Sequence, residues 1–163
     1  MSRSREVAGF ILWIAVCELV GATSALFFSQ SWYAVLEKPD WAAPDWLFAP
    51  AWGVLYAMMA IAAWIIWRKG EFVGAPLPLG LFILQLALNG TWMPVFFELQ
   101  SPGWGLVVII LLWVAIALTV IAFWSRSLLA GILLLPYLGW VGYAAALNLV
   151  IWQLNRGAWL PGS

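Results

Sequence analysis

The sequence predicts an all-α protein, a five-transmembrane-helix bundle with a long first loop acting as a lid. Composition and apolar patterning lead to this fold class. Charged residues make up only 9% of the 163-residue chain, hydrophobic residues make up 66%, and the mean hydropathy is +0.99. Soluble domains have about 25% charged residues, so this chain lacks the polar side chains of a water-facing exterior. Five apolar stretches also approach or exceed the roughly 20 residues that a helix needs to cross a bilayer core.

The five stretches define one integral membrane domain, residues 1–163, without an internal repeat or low-complexity segment. The predicted spans cover residues 7–28, 46–67, 79–97, 104–124 and 128–154, with the lid loop at 29–45.

The first span follows Arg3 and Arg5, and basic residues ahead of an apolar run are also typical of a signal peptide. The length of the stretch, the acidic Glu18 within it and the lack of a convincing small-residue cleavage site indicate a retained helix instead. Glu18 is the only acid deep in a predicted span. An ionisable residue at such a depth is by default a candidate for function.

The ends of the other spans carry glycine, proline or charge, the usual signals of helix ends. The second span stops before Arg-Lys-Gly at 68–70, and the third follows the breaker run at 74–78. The fourth is opened by Ser-Pro-Gly at 101–103, and the fifth is closed by Asn-Arg-Gly at 155–157. Three prolines are expected to kink their spans and open space between helices: Pro50, Pro94 and Pro136.

The basic residues predict the orientation of this multi-pass protein. On the predicted topology one side of the membrane holds five of them: Arg3, Arg5, Arg68, Lys69 and Arg126. The opposite side holds only Lys38 and Arg156. Because cytoplasmic loops carry the excess of Lys and Arg, a cytoplasmic N-terminus is expected.

The loop at 29–45 is the longest connection, whereas the others are short turns. It holds four large side chains that a simple connector does not need: Trp32, Tyr33, Leu36 and Trp41. Long loops with such residues are often lids or binding elements, so a lid is predicted. The alternative is a segment that lies in the membrane interface, where Trp and Tyr are favoured.

Polar and aromatic residues recur on single helical faces of three spans. Gln85, Asn89 and Trp92 lie at i, i+4 and i+7 of the third span and therefore share a face. Related helical spacings occur in the second and fifth spans: Trp52, Tyr56 and Met59, then Trp140, Ala144 and Asn148.

On the predicted topology these stripes gather beneath the long loop. Trp52 and Trp92 lie roughly 8–9 Å below that membrane surface at 1.5 Å rise per residue. An aromatic-walled cavity with a few amides suits a flat apolar small molecule as ligand. The alternative is that the amides hold helices together by hydrogen bonds and that the tryptophans fill the core.

Several classes of function are disfavoured. The chain has no histidine and a formal net charge of zero, so neither a histidine ligand to haem iron nor a basic patch for nucleic acid is available. No metal-ligand cluster or pair of catalytic carboxylates is evident, which leaves conventional acid–base or metal catalysis without a site.

Four segments, in order along nearly the whole chain, carry a specific pattern. They are Trp32-Tyr33-x-x-Leu36-x-Lys38-Pro39-x-Trp41-x-x-Pro44-x-Trp46-x-Phe48; Ala51-Trp52-x-x-Leu55-Tyr56; Gln85-Leu86-x-x-Asn89-x-x-Trp92-x-Pro94-Val95-Phe96-Phe97; and Pro136-Tyr137-x-x-Trp140 followed by Leu147-Asn148 and Asn155. With these segments the sequence resembles the translocator protein family, also called tryptophan-rich sensory proteins and formerly peripheral benzodiazepine receptors.

The resemblance implies a membrane protein, often a homodimer, that binds porphyrins and benzodiazepine- or isoquinoline-type ligands and requires no cofactor. It implies a function in transport, sensing or regulation of tetrapyrrole (porphyrin or haem) levels. When the family's functional positions are transferred to this sequence, the resemblance places Trp41 and Pro44 in the lid. It places six residues in the pocket: Trp52, Tyr56, Asn89, Trp92, Trp140 and Ala144. The polar stripes add Gln85 and Asn148 as candidate ligand-binding residues.

The resemblance also leaves a second class of function open. In some bacterial relatives the positions matching Trp52 and Trp140 are linked to light- and oxygen-dependent porphyrin breakdown. These two tryptophans are candidate catalytic residues only if such degradation occurs. The resemblance is therefore compatible with a binding protein and with a photochemical enzyme.

Overall fold

The structure is a computed structural model that describes residues 2–159. Its helices, in chain order, are α1 (Arg3–Ala25), α2 (Gln30–Val35), α3 (Asp45–Trp67), α4 (Glu71–Gly74), α5 (Pro76–Met93), α6 (Pro102–Trp124) and α7 (Leu128–Leu154). A π-helical turn, Pro94–Glu98, prolongs α5, and a 3₁₀ turn, Arg156–Trp159, follows α7. No strand occurs in the described residues.

Five helices are long and apolar enough to cross a membrane: α1, α3, α5 with its π turn (Pro76–Glu98), α6 and α7. The predicted five-span helical bundle is therefore confirmed.

Several span boundaries differ from the predicted ones, among them the start of the first span, which is Arg3 and not residue 7, and two of the differences have a local explanation. The first helix ends at Ala25, and the backbone N–H groups of Leu26 and Phe28 then make tight i→i−3 bonds of 3.2 Å. The third span begins at Pro76 and not at residue 79. Proline suits the first helical turn, where its missing N–H has no intrahelical partner to lose. The run at 74–78 therefore starts a helix as well as breaking one.

The five spans close into a ring in which each packs mainly against two neighbours, and α3 also contacts α5 across the ring. The order is α1, α3, α7, α6, α5 and back to α1. Glycines let α1 approach α3 closely at two levels. A Cβ atom at Gly9 would lie 2.0 Å from the ring of Trp67, and one at Gly21 would lie 2.5 Å from the ring of Tyr56.

The π turn lies where proline was expected to kink the third span. Pro94 has no N–H to donate, and the N–H of Leu99 bonds to its carbonyl oxygen at 2.9 Å, an i→i−5 bond. The wider turn places Phe96 and Phe97 in the buried interior. The other two prolines lie inside the continuous helices α3 and α7.

The connection between α1 and α3 packs onto the bundle and is attached to α7. The N–H of Glu37 bonds to Oδ1 of Asn155 at 3.1 Å, and Nδ2 of Asn155 bonds to the carbonyl of Glu37 at 3.0 Å. The N–H of Ala43 donates to the hydroxyl of Tyr143 at 2.7 Å. Helix α2 buries Trp32 against Phe96 and Phe97 of the π turn. This segment, residues 29–44, is called the loop cover below.

The topology can be tested by cysteine labelling in a Cys17→Ala background. Ser31 and Gly70 are exposed and lie at opposite ends of the bundle, so Ser31→Cys and Gly70→Cys are expected to react from opposite sides of sealed vesicles. An impermeant maleimide applied to intact and opened vesicles measures the sides. Labelling of both positions from one side would contradict the five-span arrangement, whereas an inverted pattern would contradict only the predicted cytoplasmic N-terminus.

Candidate ligand-binding cavity

A cavity of about 390 Å³ lies inside the ring, in the half of the bundle beneath the loop cover. Its walls come from α1, α3, α5, the π turn, α7 and the loop cover, and α6 contributes no lining residue in the described part of the chain. Small-molecule sites have volumes of about 300–1,000 Å³, so the space suits a ligand of drug size.

Aromatic side chains form much of the wall. Trp52 on α3 lies with its ring centroid 5.6 Å from that of Tyr56 and is tilted by 31°. Across the cavity Trp92 and Phe96 make a similar tilted pair, with centroids 5.4 Å apart. Phe48 lies one turn before Trp52 on the same face. A flat ligand inside the cavity therefore meets ring faces and ring edges.

A hydrogen-bonded network of amides and phenols supports the deep end of the cavity. Tyr56 donates to Oδ1 of Asn89, and Nδ2 of Asn89 donates to the hydroxyl of Tyr137 at 2.8 Å. That hydroxyl in turn donates to Oε1 of Gln85 at 2.8 Å. Because all four side chains are buried, the network ties α3, α5 and α7 together at one level. It fixes the position of two cavity residues, Tyr56 and Asn89.

A second amide, Asn148, holds the indole of Trp92 in place. Nε1 of Trp92 donates to Oδ1 of Asn148 at 3.2 Å, and Nδ2 of Asn148 donates to the carbonyl of Pro102 at 2.7 Å. The last contact reaches the first turn of α6. The orientation of Trp92 therefore depends on a helix that does not itself line the cavity.

Six of the ten candidate binding residues line the cavity: Trp52, Tyr56, Asn89, Trp92, Ala144 and Asn148. Gln85 lies behind the wall at the end of the network, where its Nε2 has no hydrogen-bond partner among residues 2–159. Trp140 also lies outside the lining. Its ring is 5.7 Å from that of Phe48, which stands on the cavity side.

The two candidate lid residues do not line the cavity either. Trp41 is 50% exposed and packs its ring edge-on against Tyr143 at 5.8 Å. Pro44 is exposed and immediately precedes α3, where it is the N-cap. The loop cover reaches the cavity through Tyr33 instead, which lines it and is only 4% exposed.

Some lining residues were missed by the sequence reading although a signal was present. Asp45 and Phe48 precede Trp52 at helical spacing, so the stripe through Trp52 and Tyr56 reaches them if it is extended towards the N-terminus. Phe96 lies four residues after Trp92, so the stripe through Asn89 and Trp92 reaches it if it is extended towards the C-terminus. Tyr33 gives no such signal, because it lies in the loop cover.

The charged groups of the cavity are both acidic. Glu18 and Asp45 line it, and no Lys or Arg does so among the described residues. The hydroxyl of Tyr33 is buried and has no hydrogen-bond partner in the described part of the chain. Burial, and secondarily the charge of Asp45, raises the pKa of Tyr33 to about 12, so its hydroxyl stays neutral at physiological pH. No group of three potential metal-ligating residues occurs within residues 2–159.

The cavity has an opening between α1 and α3. Four of its lining residues are both small and exposed: Ala22, Ala25, Ala49 and Gly53. All four lie on α1 or α3, in the half nearest the loop cover. Lining residues on α5, the π turn and α7 are buried or half-buried. We call this gap the lateral opening.

Comparisons with known proteins show which family the sequence matches. Residues 13–153 match the TspO/MBR family. The chain is 40% identical to protein CrtK of Rhodobacter capsulatus, over 91% of this chain and 93% of that protein. It is 43% identical to the tryptophan-rich protein TspO of Chlorobaculum tepidum, over 93% of this chain and 99% of that protein. It is 43% identical to the human translocator protein, over 80% and 78% of the two chains.

These matches cover all five spans and the cavity that they enclose. The chain belongs to the TspO/MBR family.

Proposed function

We propose that the protein binds tetrapyrroles such as protoporphyrin, and flat benzodiazepine-type molecules, in this cavity and acts in their transport, in sensing them or in regulating their levels. The observation that carries the proposal is the aromatic wall formed by Trp52, Trp92 and Phe96 around a mostly apolar space. A conjugated macrocycle gains from stacking and from removal of its faces from water. The buried amides Asn89 and Asn148 supply the few polar contacts that orient a ligand.

Binding by stacking needs no axial ligand, and the chain has no histidine to provide one. Metal-free protoporphyrin is therefore expected to bind. The test is a titration of the protein in lipid nanodiscs with metal-free protoporphyrin, followed by tryptophan fluorescence. Saturable quenching that is absent from a nanodisc without protein supports the proposal. Binding of iron-containing haem alone, or of neither compound, would contradict it.

The loop cover is proposed to control ligand release, because it closes the end of the cavity through Tyr33 and is attached to α7. Replacing Asn155 with alanine removes both hydrogen bonds to Glu37. Each net hydrogen bond contributes about 0.5–1.5 kcal/mol, so the loss of both is expected to accelerate release by roughly 5- to 160-fold. Stopped-flow displacement of a bound fluorescent porphyrin measures the rate.

The neighbouring Gln153 is exposed and supplies the control variant Gln153→Ala. Its release rate is expected to equal that of the unmodified protein. Equal rates for Asn155→Ala and Gln153→Ala would show that the loop cover is a passive connector.

A second candidate function is light- and oxygen-dependent porphyrin breakdown, favoured by the position of Trp52 on the cavity wall. An indole in stacking contact with an excited porphyrin can donate one electron, and oxygen would serve as the oxidant. Bound protoporphyrin should then lose absorbance under illumination only when oxygen is present. Trp52→Phe should slow that loss, and Trp104→Phe, at an exposed position outside the cavity, should not. Bleaching no faster than that of protoporphyrin in empty nanodiscs would reject this candidate.

A further inference from the structure

Two basic side chains are brought together at the end of the bundle opposite the loop cover. Lys69 lies in the turn after α3, and Arg126 lies in the turn between α6 and α7. The ammonium of Lys69 donates to the backbone carbonyl of Arg126 at 2.6 Å, and Nη1 of Arg126 donates to the carbonyl of Gly74 at 3.1 Å. The bonded residues are 57 and 52 positions apart in the chain, so the fold, and not the local sequence, creates this pair of cations.

No acid neutralises the pair among the side chains that the structure describes. The recorded partners of Lys69 and Arg126 are backbone carbonyls, which carry no net charge, and both side chains are exposed. Each cation uses one N–H in these bonds and keeps further donors for a ligand. Two like charges held near each other repel, and an anion that contacts both relieves that repulsion.

The charge balance of this end of the bundle favours an anionic partner as well. In the five-span arrangement it carries the two acids Glu6 and Glu71 and five basic residues: Arg3, Arg5, Arg68, Lys69 and Arg126. A positive excess beside a membrane surface attracts anionic lipid headgroups, by about 1 kcal/mol for each Lys or Arg near the surface.

Exposed apolar side chains flank the two cations. Phe72 follows Lys69 in the same connection, and Trp124 and Leu128 lie on either side of Arg126. All three are exposed. A free anion such as inorganic phosphate gains nothing from this surface, whereas the acyl chains of a phospholipid cover it. Cations next to exposed apolar side chains at the ends of membrane spans therefore suit a lipid better than a soluble anion.

We propose that Lys69 and Arg126 bind the headgroup phosphate of an anionic phospholipid such as phosphatidylglycerol. The phosphate oxygens accept hydrogen bonds from the ammonium and from the guanidinium, whose planar fork suits them. A zwitterionic lipid binds less well, because the cationic group of its headgroup opposes the same two charges. The bound lipid links the connection after α3 to the α6–α7 turn. Neither cation lines the ligand cavity, so this inference does not rest on the proposed function.

The test compares two lipids that have the same acyl chains and different headgroups. Purified full-length protein in detergent is titrated with phosphatidylglycerol or phosphatidylcholine, and native mass spectrometry gives the dissociation constant of the first bound lipid. The unmodified protein is expected to prefer phosphatidylglycerol. Lys69→Gln and Arg126→Gln are each expected to reduce that preference roughly fivefold, the equivalent of about 1 kcal/mol. Lys69→Arg keeps the charge and should keep the preference.

Two exposed arginines supply the controls. Arg3→Gln removes a charge from the same end of the bundle, and Arg156→Gln removes one from the opposite end. Both variants should keep the preference of the unmodified protein, because neither residue belongs to the pair. The unfolding temperature of each variant without added lipid checks its fold.

The outcomes distinguish a headgroup site from general attraction and from a site for free anions. Equal affinity for the two lipids, or the same loss in Arg3→Gln as in Lys69→Gln, would overturn the site. Millimolar inorganic phosphate should leave phosphatidylglycerol bound, and displacement by phosphate would overturn the lipid as its occupant. Protoporphyrin binding in the cavity would stand in either case.

Discussion

Replacing Gly21 with alanine is expected to lower both the stability of the bundle and its affinity for ligand. The new Cβ atom would lie 2.5 Å from the Tyr56 ring, so that ring or helix α1 must move. Overpacking of this kind costs about 1–3 kcal/mol. Because Tyr56 lines the cavity and donates to Asn89, its displacement also disturbs the hydrogen-bonded network. An affinity loss of about 1 kcal/mol, or roughly fivefold, is expected.

Gly53 offers a matched control, since it lines the same cavity and a Cβ atom there meets nothing within 4 Å. Gly53→Ala is expected to retain or slightly raise stability, because alanine favours the helix by up to about 1 kcal/mol. The unfolding temperature in lipid nanodiscs and the protoporphyrin dissociation constant measure both variants. Identical behaviour of Gly21→Ala and Gly53→Ala would show that α1 and α3 are not held as closely as described.

Removal of the aromatic wall is expected to give the largest loss of affinity. Trp52→Ala takes away a ring on which a macrocycle would stack, and about 100 Å² of buried apolar contact is worth roughly 2.5 kcal/mol. The protoporphyrin dissociation constant should therefore rise by roughly tenfold to a hundredfold. Trp52→Phe keeps an aromatic face and should cost less. Fluorescence or absorbance titration in nanodiscs measures the three proteins.

Trp104→Ala is the control for Trp52→Ala, because Trp104 is 69% exposed and does not line the cavity. It removes the same side chain without changing the wall, so its dissociation constant should stay within about twofold of the unmodified protein. A Trp52→Ala protein that bound protoporphyrin as tightly as Trp104→Ala would place the ligand elsewhere.

The sequence was sufficient to predict the five spans, because a bilayer tolerates few exposed backbone polar groups and therefore requires long apolar helices. It was also sufficient for much of the cavity wall. Asn89 and Trp92 share a helical face, and a costly polar residue in a span is expected to face the interior. The same reasoning placed Trp52 and Asn148 correctly among the lining residues.

Helical periodicity shows which residues share a face of a helix. It does not show which of them reach the cavity and which lie behind its wall. Trp140 and Ala144 lie on one stripe, yet Ala144 lines the cavity and the Trp140 ring lies against Phe48. Which of two packed rings reaches the cavity depends on the neighbouring helix, and a single span carries no information about that. The loop cover is the other gap, since it follows no fixed period and its lining residue Tyr33 gives no periodic signal.

The lateral opening between α1 and α3 has a consequence for how affinity should be expressed. It is bordered by Ala22, Ala25, Ala49 and Gly53, on two helices that span the bilayer. We expect a ligand that enters there to come from the lipid phase. Its occupancy can then be expressed against its mole fraction in the membrane, which at equilibrium is proportional to its concentration in water. Adding lipid at constant protein and total ligand then dilutes the ligand and lowers occupancy. Two molecules of equal affinity for the cavity differ in apparent aqueous dissociation constant by the ratio of their partition coefficients.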